Sequence, residues 1–170
     1  TEMNELQELE IFFDRLWPIN RSITGDGVRK THEILSELIP LNTFEVDSGT
    51  EVLDWKIPKE WKVNEAYVID PNGNKILNFK SNNLHLVGYS IPFQGLLPKK
   101  EFIKYLHYRE DLPDAIPYVT SYYKETWGFC IKYSDFIDLP EGDYKVVIDT
   151  DLFHGSLTIS DCILKGETSK

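Results

Sequence analysis

The spacing of hydrophobic residues changes about forty residues into the chain. In "NELQELEIFFDRLWPI" the apolar positions recur every three or four residues, which predicts an amphipathic helix that Pro18 ends. A second helix is predicted in "NRSITGDGVRKTHEILSELIP", capped by Thr24 or Asp26 and ended by Pro40. The apolar stripe of the first helix consists of Leu6, Leu9, Phe13 and Leu16.

After these helices the apolar residues alternate with polar ones, which is typical of strands. The strongest local pattern is "EAYVIDPNGNKILNFK", where a Pro-Asn-Gly turn joins two alternating runs and predicts a β-hairpin. A short helix is predicted in "PKKEFIKYLHY". The fold class predicted is α+β, with two N-terminal helices followed by a mostly antiparallel β-rich domain that contains one short helix. The other predicted strands are "TFEVD", "EVLDWKI" and "NLHLVGYSI", a hairpin of "AIPYVTSYY" with "FCIKYS", and a last hairpin of "DYKVVIDT" with "SLTISDCIL".

The charge balance narrows the classes of partner. Asp and Glu outnumber Lys and Arg by 28 to 18, so the formal net charge is −10. Such a surface repels phosphate backbones and anionic lipids, and no apolar run reaches the roughly 18 residues that would span a bilayer. We therefore expect neither nucleic acid nor membrane as a partner.

The two cysteines and the polar start of the chain indicate the cellular compartment of the protein. Cys130 and Cys162 each lie in an apolar, strand-like run, which favours two buried free thiols over a disulfide in a chain of 170 residues. The opening "TEMNELQELE" has neither a basic start nor an apolar core of a secretory signal, although a removed leader stays open. These features favour a cytoplasmic location.

Motifs for metal binding or nucleophilic catalysis are weak. The four histidines are scattered, and the best local group of metal ligands is Asp149, Asp151 and His154, a pattern more typical of a solvated turn. Ser156 follows a glycine but belongs to no nucleophile elbow. The glycines of "SITGDG" precede a helix, where capping is the simpler interpretation than anion binding. We assign no catalytic residue and no metal ligand.

An aromatic cluster is the most distinctive chemistry in the chain. The stretch "PYVTSYYKETWGFC" holds five aromatic rings in 14 residues. Tyr118 and Phe129 are expected in the core. For Tyr122, Tyr123 and Trp127, core packing and contact with a substrate or partner remain equally open.

Three longer strings, "LWPINRSITGDGVRKT", "NNLHLVGYSIPFQG" and "PDAIPYVTSYYKETWGFC", resemble the amino-terminal portion of a bacterial family of zinc aminopeptidase-like proteins. In that family a peptidase domain of the two-zinc type is interrupted by a β-rich domain of unknown function, and some members are associated with polysaccharide biosynthesis. The resemblance implies a helical start of the aminopeptidase-like domain at 1–45, an inserted β-rich domain at 46–140, and a β-hairpin at 141–170 that leads back to the peptidase sheet.

The resemblance also implies what this chain lacks. The family's first metal-binding string, Cys-His-Pro, is absent from the sequence, so zinc is expected only in the full-length parent and the chain alone is expected to be inactive. The remainder of the peptidase domain is the implied partner, and a homo-oligomer is a further expectation because severed helices expose their apolar stripe.

Two functions follow from these observations. In the first, the chain is a fragment of a zinc aminopeptidase-like metallohydrolase, and the inserted domain shapes the substrate cleft. In the alternative, the β-rich domain is a non-catalytic module that binds a glycan or protein partner, linked to polysaccharide biosynthesis. Tyr122, Tyr123 and Trp127 are the predicted contact residues in both, with a peptide or a glycan as ligand.

Overall fold

The computed structural model describes residues 4–168, which divide into two compact units. Unit 1 comprises described residues up to 60 and from 153 onward, and unit 2 comprises residues 61–152. The predicted class is confirmed, since helices open the chain and nearly all strand pairs are antiparallel. The domain boundaries at 45 and 140 stay a prediction.

Two helices open unit 1. Helix α1 (Glu5–Leu16) begins at Asn4, whose side chain accepts a hydrogen bond from the Gln7 amide at 2.9 Å while the Gln7 side chain bonds back to the Asn4 amide. Helix α2 (Asp26–Leu35) begins instead at Gly25, with φ of 97° and no side-chain cap, so the predicted caps Thr24 and Asp26 are wrong. Glycine adopts this positive φ at no steric cost because it has no Cβ atom.

The strands of unit 1 form two small ladders. Strand β1 (Asn42–Asp47) pairs antiparallel with β10 (Ser156–Asp161), which confirms both as strands. The predicted strand "EVLDWKI" folds back on itself as β2 (Glu51–Val52) and β3 (Trp55–Lys56), because Leu53 takes a positive φ of 54° at the turn.

Unit 2 is built on a four-stranded sheet in the order β5-β4-β9-β6. The hairpin of β4 (Glu60–Ile69) and β5 (Lys75–Ile76) is confirmed, and its turn is held by the Asp70 carboxylate, which accepts hydrogen bonds from two backbone amides. Strand β6 (Phe93–Pro98), which the alternation did not indicate, pairs antiparallel with β9 (Asp143–Phe153).

The core of unit 2 lies against this sheet. The short helix α3 (Lys99–Phe102) confirms the predicted helix in its first turn and continues as a 3₁₀ turn over Ile103–Tyr105. It places Phe102 on the fully buried Tyr144, with ring centroids 4.6 Å apart. The buried residues of the sheet include Ala66, Val68, Val146 and Ile148.

Two predicted hairpins and one predicted strand are wrong. Strand β10 pairs with β1 and not with β9, whose neighbours are β4 and β6. In the aromatic segment only β8 (Phe129–Cys130) is a strand, paired in parallel with β7 (Leu106–His107), and "KYSDFI" forms helix α4 (Tyr133–Ile137). The stretch "NLHLVGYSI" contains a 3₁₀ turn at Asn83–His85 and two isolated bridges.

Candidate functional site

The longest irregular segment of unit 2 connects β7 to β8 over residues 108–128 and is called here the tyrosine loop. It contains no helix or strand, only an isolated bridge at Thr120. Connections beyond about 12–15 residues without secondary structure are uncommon in compact domains, where they are usually either functional loops or linker segments, and backbone hydrogen bonds order this one. The tyrosine loop is therefore the first place to look for a binding site.

Backbone hydrogen bonds pin the tyrosine loop to the segment around Gly88. The Gly88 amide donates to the Val119 carbonyl at 2.8 Å, and the Ser121 amide donates to the Gly88 carbonyl at 2.9 Å. A Cβ atom at Gly88 would lie 3.1 Å from the Thr120 Oγ1 atom, so the close approach favours glycine. The Ile91 amide adds a third bond at 3.0 Å to Thr126, near the end of the loop.

The predicted contact residue Trp127 lies inside unit 2. Its ring is sandwiched between Tyr105, at a centroid distance of 3.9 Å, and Phe93, at 4.4 Å, and only 7% of the residue is exposed. The tryptophan thus anchors the end of the loop through ring stacking. Contact of Trp127 with a substrate or partner stays a prediction, and this burial gives it no support.

Tyr122 and Tyr123 of the loop extend a row of aromatic contacts from the interior of unit 2 to its surface. The buried Trp61 stacks on Tyr89 at 5.6 Å, Tyr89 meets Tyr122 edge to face at 4.9 Å, and Tyr122 meets Tyr123 at 6.5 Å. Tyr123 is 85% exposed at the end of this row. The structure therefore brings Tyr122 and Tyr123 together at the surface, and Trp127 lies apart from them in the core.

Tyr118 completes the exposed group. It was expected in the core together with Phe129; Phe129 is fully buried, but Tyr118 is 65% exposed, so the expectation for Tyr118 was wrong. Its hydroxyl lies 3.4 Å from the Tyr122 hydroxyl. This hydrogen bond is the main reason that the pKa of Tyr118 is raised to about 12, and the phenol is an uncharged donor and acceptor at neutral pH.

Strained backbone supports this row of aromatic contacts from beneath. Tyr89 is buried with a φ of 66°, an uncommon conformation for a bulky residue. The next residue, Ser90, is fully buried, and its carbonyl accepts hydrogen bonds from Trp61 Nε1 at 3.0 Å and from Thr150 Oγ1 at 2.8 Å. These bonds fix Tyr89 in place under Tyr122. Sequence reasoning missed Tyr89, because no residue type or spacing marks it.

The ionic cluster of unit 1 is satisfied internally. Arg29 forms two hydrogen bonds to Glu60, whose side chain is only 8% exposed, and also bonds Glu45 at 3.5 Å. Glu60 accepts a further bond from the Ser156 amide, and Ser156 donates through its hydroxyl to Glu45. These bonds link α2, β1, β4 and β10. Because both glutamates of the cluster are paired, the cluster offers no open position for a metal ion.

The group Asp149, Asp151 and His154, the best local set of metal ligands in the sequence, does not come together as a metal site. Among residues 4–168 no group of three or more His, Cys, Asp or Glu side chains could hold a metal ion. Asp149 and Asp151 instead accept hydrogen bonds from the Asn64 amide, at 3.3 and 3.0 Å. His154 belongs to the other compact unit.

Unit 1 carries its polar sheet face inward. In the β1–β10 ladder, opposed residues share a face, so Thr43 and Glu45 lie with Ser160 and Thr158. This polar face contacts α2, through Arg29 to Glu45 and through His32 Nδ1 to Ser160 at 2.8 Å. The sheet is therefore inverted relative to an ordinary layer, in which the apolar face meets the helix.

The opposite, apolar face of the ladder is open in part: Leu157 is buried beside the half-buried Val46, and the next pair along the ladder is exposed. Phe44 and Ile159 face each other across it and are 46% and 36% exposed. Helix α1 also exposes apolar side chains: none of its described residues is buried, and Leu9 and Phe13 are each 66% exposed. Between α1 and the end of α2 runs an apolar groove of about 670 Å³, lined mainly by Leu9, Phe12, Phe13, Leu16, Leu35 and Leu38.

Comparison with known proteins places these features in a family. The family described as a domain of unknown function, DUF2172, matches residues 60–151, which is nearly the whole of unit 2. The match covers more than half of the chain. The chain belongs to the DUF2172 family.

Two comparisons from Clostridium acetobutylicum extend further along the chain. A provisionally named polysaccharide biosynthesis protein with an aminopeptidase-like domain is 48% identical over 160 residues, which cover 94% of this chain. The crystal structure of a provisionally named peptidase is also 48% identical, with a TM-score of 0.85 over 90% of this chain. The chain spans 37% of the length of the first relative and 36% of the second. The chain is thus related to aminopeptidase-like proteins and spans somewhat more than a third of the length of these two relatives.

The structure has no helix, among the residues it describes, that is long and apolar enough to cross a membrane.

Proposed function

We propose that this chain is the amino-terminal portion of an aminopeptidase-like metallohydrolase of the two-zinc type. In this proposal unit 1 belongs to the peptidase domain, and unit 2 is an inserted module that shapes the substrate cleft. The observation that carries the proposal is the inverted β1–β10 ladder. A layer that turns its polar face to its own helix and leaves Phe44 and Ile159 exposed on its apolar face has room for further packing partners.

The open faces of unit 1 support this reading by their chemistry. A two-stranded ladder is marginal on its own and gains stability when further strands or a second layer cover it. Phe44 on the ladder and Leu9 and Phe13 on α1 would be covered in such an assembly. Burial of each large apolar side chain contributes on the order of 1.5–3 kcal/mol. The proposed occupant is the remainder of the aminopeptidase-like domain, which this chain does not span.

The side chains of the described residues bear on which part of the proposed protein would bind zinc. A two-metal hydrolase needs several carboxylate and imidazole ligands on rigid elements, and residues 4–168 offer no such group. The ligands for zinc would therefore come from the remainder of the protein. In this proposal the chain contributes no catalytic residue, and the location is cytoplasmic.

Reconstitution tests the proposal. The chain and the remainder of its aminopeptidase-like protein are produced separately and mixed, and we measure co-elution, bound zinc and release of an amino acid from an amino-acid amide. We expect a one-to-one complex that holds zinc and hydrolyses the amide, whereas the chain alone does neither.

Two variants make the test specific. Phe44→Ser places a hydroxyl on the open ladder face and should weaken the complex at least tenfold, since it removes roughly 1.4 kcal/mol or more of apolar burial. Leu53→Ser is the matched control, because Leu53 is fully exposed at the β2–β3 turn of the same unit. Equal affinities for the two variants, or zinc and amide hydrolysis in the chain alone, would contradict the proposal.

The same faces predict self-association of the isolated chain. We expect concentration-dependent oligomers in sedimentation velocity that Phe44→Ser reduces and Leu53→Ser does not.

A further inference from the structure

We infer that the tyrosine loop binds a neutral saccharide, with the exposed ring of Tyr123 against the sugar's C–H face and the hydroxyls of Tyr118 and Tyr122 bonded to its hydroxyl groups. The inference rests on unit 2 alone and does not depend on the proposed function, because the open faces of unit 1 take no part in it.

The exposure of neighbouring rings is the first step. One exposed aromatic side chain is ordinary on a protein surface, but Tyr118 and Tyr123 are 65% and 85% exposed within the same short segment, beside Tyr122. A tyrosine that serves only packing buries its ring, as Tyr144 does in the same unit. The exposed tyrosines are therefore available for contact.

The rigidity of the support is the second step. Tyr122 rests edge to face on Tyr89, whose strained backbone is fixed by the hydrogen bonds at Ser90. The backbone bonds at Gly88 hold the loop on the same side. A surface that is ordered before binding loses less conformational entropy when a ligand arrives, which raises affinity without added contacts.

The chemistry of the surface selects the ligand class. Tyrosine rings offer flat apolar faces, and the two hydroxyls, 3.4 Å apart, can donate and accept. Between Ala115 and Gly128 the only charged residues are Lys124 and Glu125, which offset each other, and the whole chain carries −10. A phosphate or uronate chain would meet net repulsion, whereas a pyranose presents an apolar C–H face rimmed by neutral hydroxyls.

Titration calorimetry of the whole chain tests the inference. The probes are cellohexaose, maltohexaose and chitohexaose, with the anionic hexagalacturonate and a neutral hexapeptide as alternatives. We expect at least one neutral hexasaccharide to bind. Tyr123→Ala should weaken that binding about tenfold, and Tyr122→Phe, which removes one hydroxyl, about two- to tenfold.

Phe13→Ala is the matched control, since it removes a similarly exposed ring from α1 in the other unit and should leave saccharide binding unchanged. If Tyr123→Ala lowers the melting temperature, Tyr118→Phe decides, because it keeps the exposed ring and removes only its hydroxyl. The inference is overturned if none of the three saccharides binds, if only the hexapeptide or the anionic saccharide binds, or if binding survives the tyrosine substitutions.

Discussion

Arg29 and Glu60 form a two-point ion pair, with Nη1 to Oε1 at 2.6 Å and Nη2 to Oε2 at 2.9 Å, that joins α2 to the first residue of β4. Arg29→Met would leave the nearly buried Glu60 carboxylate without its cation. We expect the free energy of unfolding to fall by about 1–3 kcal/mol, between the values for exposed and fully buried pairs, since Arg29 is itself 33% exposed. Urea unfolding measures the change.

Lys30→Met is the control for the ion pair, because Lys30 pairs with Glu33 one turn along the same helix where both side chains are exposed. Its loss should change stability by no more than about 0.5 kcal/mol. Equal effects of the two substitutions would show that the Arg29–Glu60 pair does not hold unit 1 together.

The same pair predicts a dependence on pH. The hydrogen bonds and charge of Arg29 outweigh burial and lower the pKa of Glu60 below its ordinary value of 4.5. A carboxyl with a lowered pKa in the folded state stabilises the protein above the unfolded pKa, and this contribution is lost as pH falls through the folded pKa. We therefore expect stability to decline from about pH 4.5 downward, and less steeply in Glu60→Gln.

The measurement is urea unfolding at a series of pH values from neutral to acid. Glu51→Gln, on the exposed strand β2, is matched for the loss of one carboxylate. If Glu60→Gln and Glu51→Gln follow the wild-type profile equally closely, Glu60 does not contribute to acid stability.

The ring sandwich around Trp127 predicts a large stability effect in unit 2. Trp127→Ala removes a buried ring held between Tyr105 and Phe93, and such substitutions typically cost about 3–5 kcal/mol. Tyr123→Ala, in the same loop but 85% exposed, should cost no more than about 0.5 kcal/mol. Chemical unfolding followed by circular dichroism gives both values, and a Trp127→Ala protein of wild-type stability would refute the anchoring role.

The two thiols should react at different rates. Burial raises the pKa of Cys130 to about 12, so almost none of it is thiolate at pH 8, whereas Cys162 is partly accessible. Since the thiolate is the reactive form, Ellman's reagent should label Cys162 in the native protein and Cys130 only on unfolding. Cys162→Ser should therefore abolish the native reaction, and rapid native labelling of that variant would contradict the prediction.

Local patterns predicted the parts of the fold that local chemistry determines. Helix α1 and the β4–β5 hairpin follow from apolar spacing and turn residues, and both are confirmed. Pairing between distant strands was beyond the sequence: β10 has the alternation of a hairpin partner for β9 but pairs with β1, more than a hundred residues away. Alternation shows which face a side chain occupies and does not specify the neighbouring strand.

The candidate site was predicted in part. The density of aromatic residues drew attention to the segment that contains the tyrosine loop, but it predicted a hairpin, and the segment is an irregular loop held by Gly88. Contacts between residues that are distant in sequence determine which ring is buried. Tyr105 and Phe93 enclose Trp127, whereas Tyr89 lies beneath Tyr122 and leaves the adjoining tyrosines at the surface. Such contacts join segments that the sequence lists far apart, so periodicity alone could not assign them.

Asn64, four residues into β4, donates a hydrogen bond to Asp151, near the end of β9, and these neighbouring strands open and close unit 2. The polypeptide thus enters and leaves this unit at adjoining points. Segments whose two ends adjoin are the ones whose insertion or removal changes the path of the surrounding chain least.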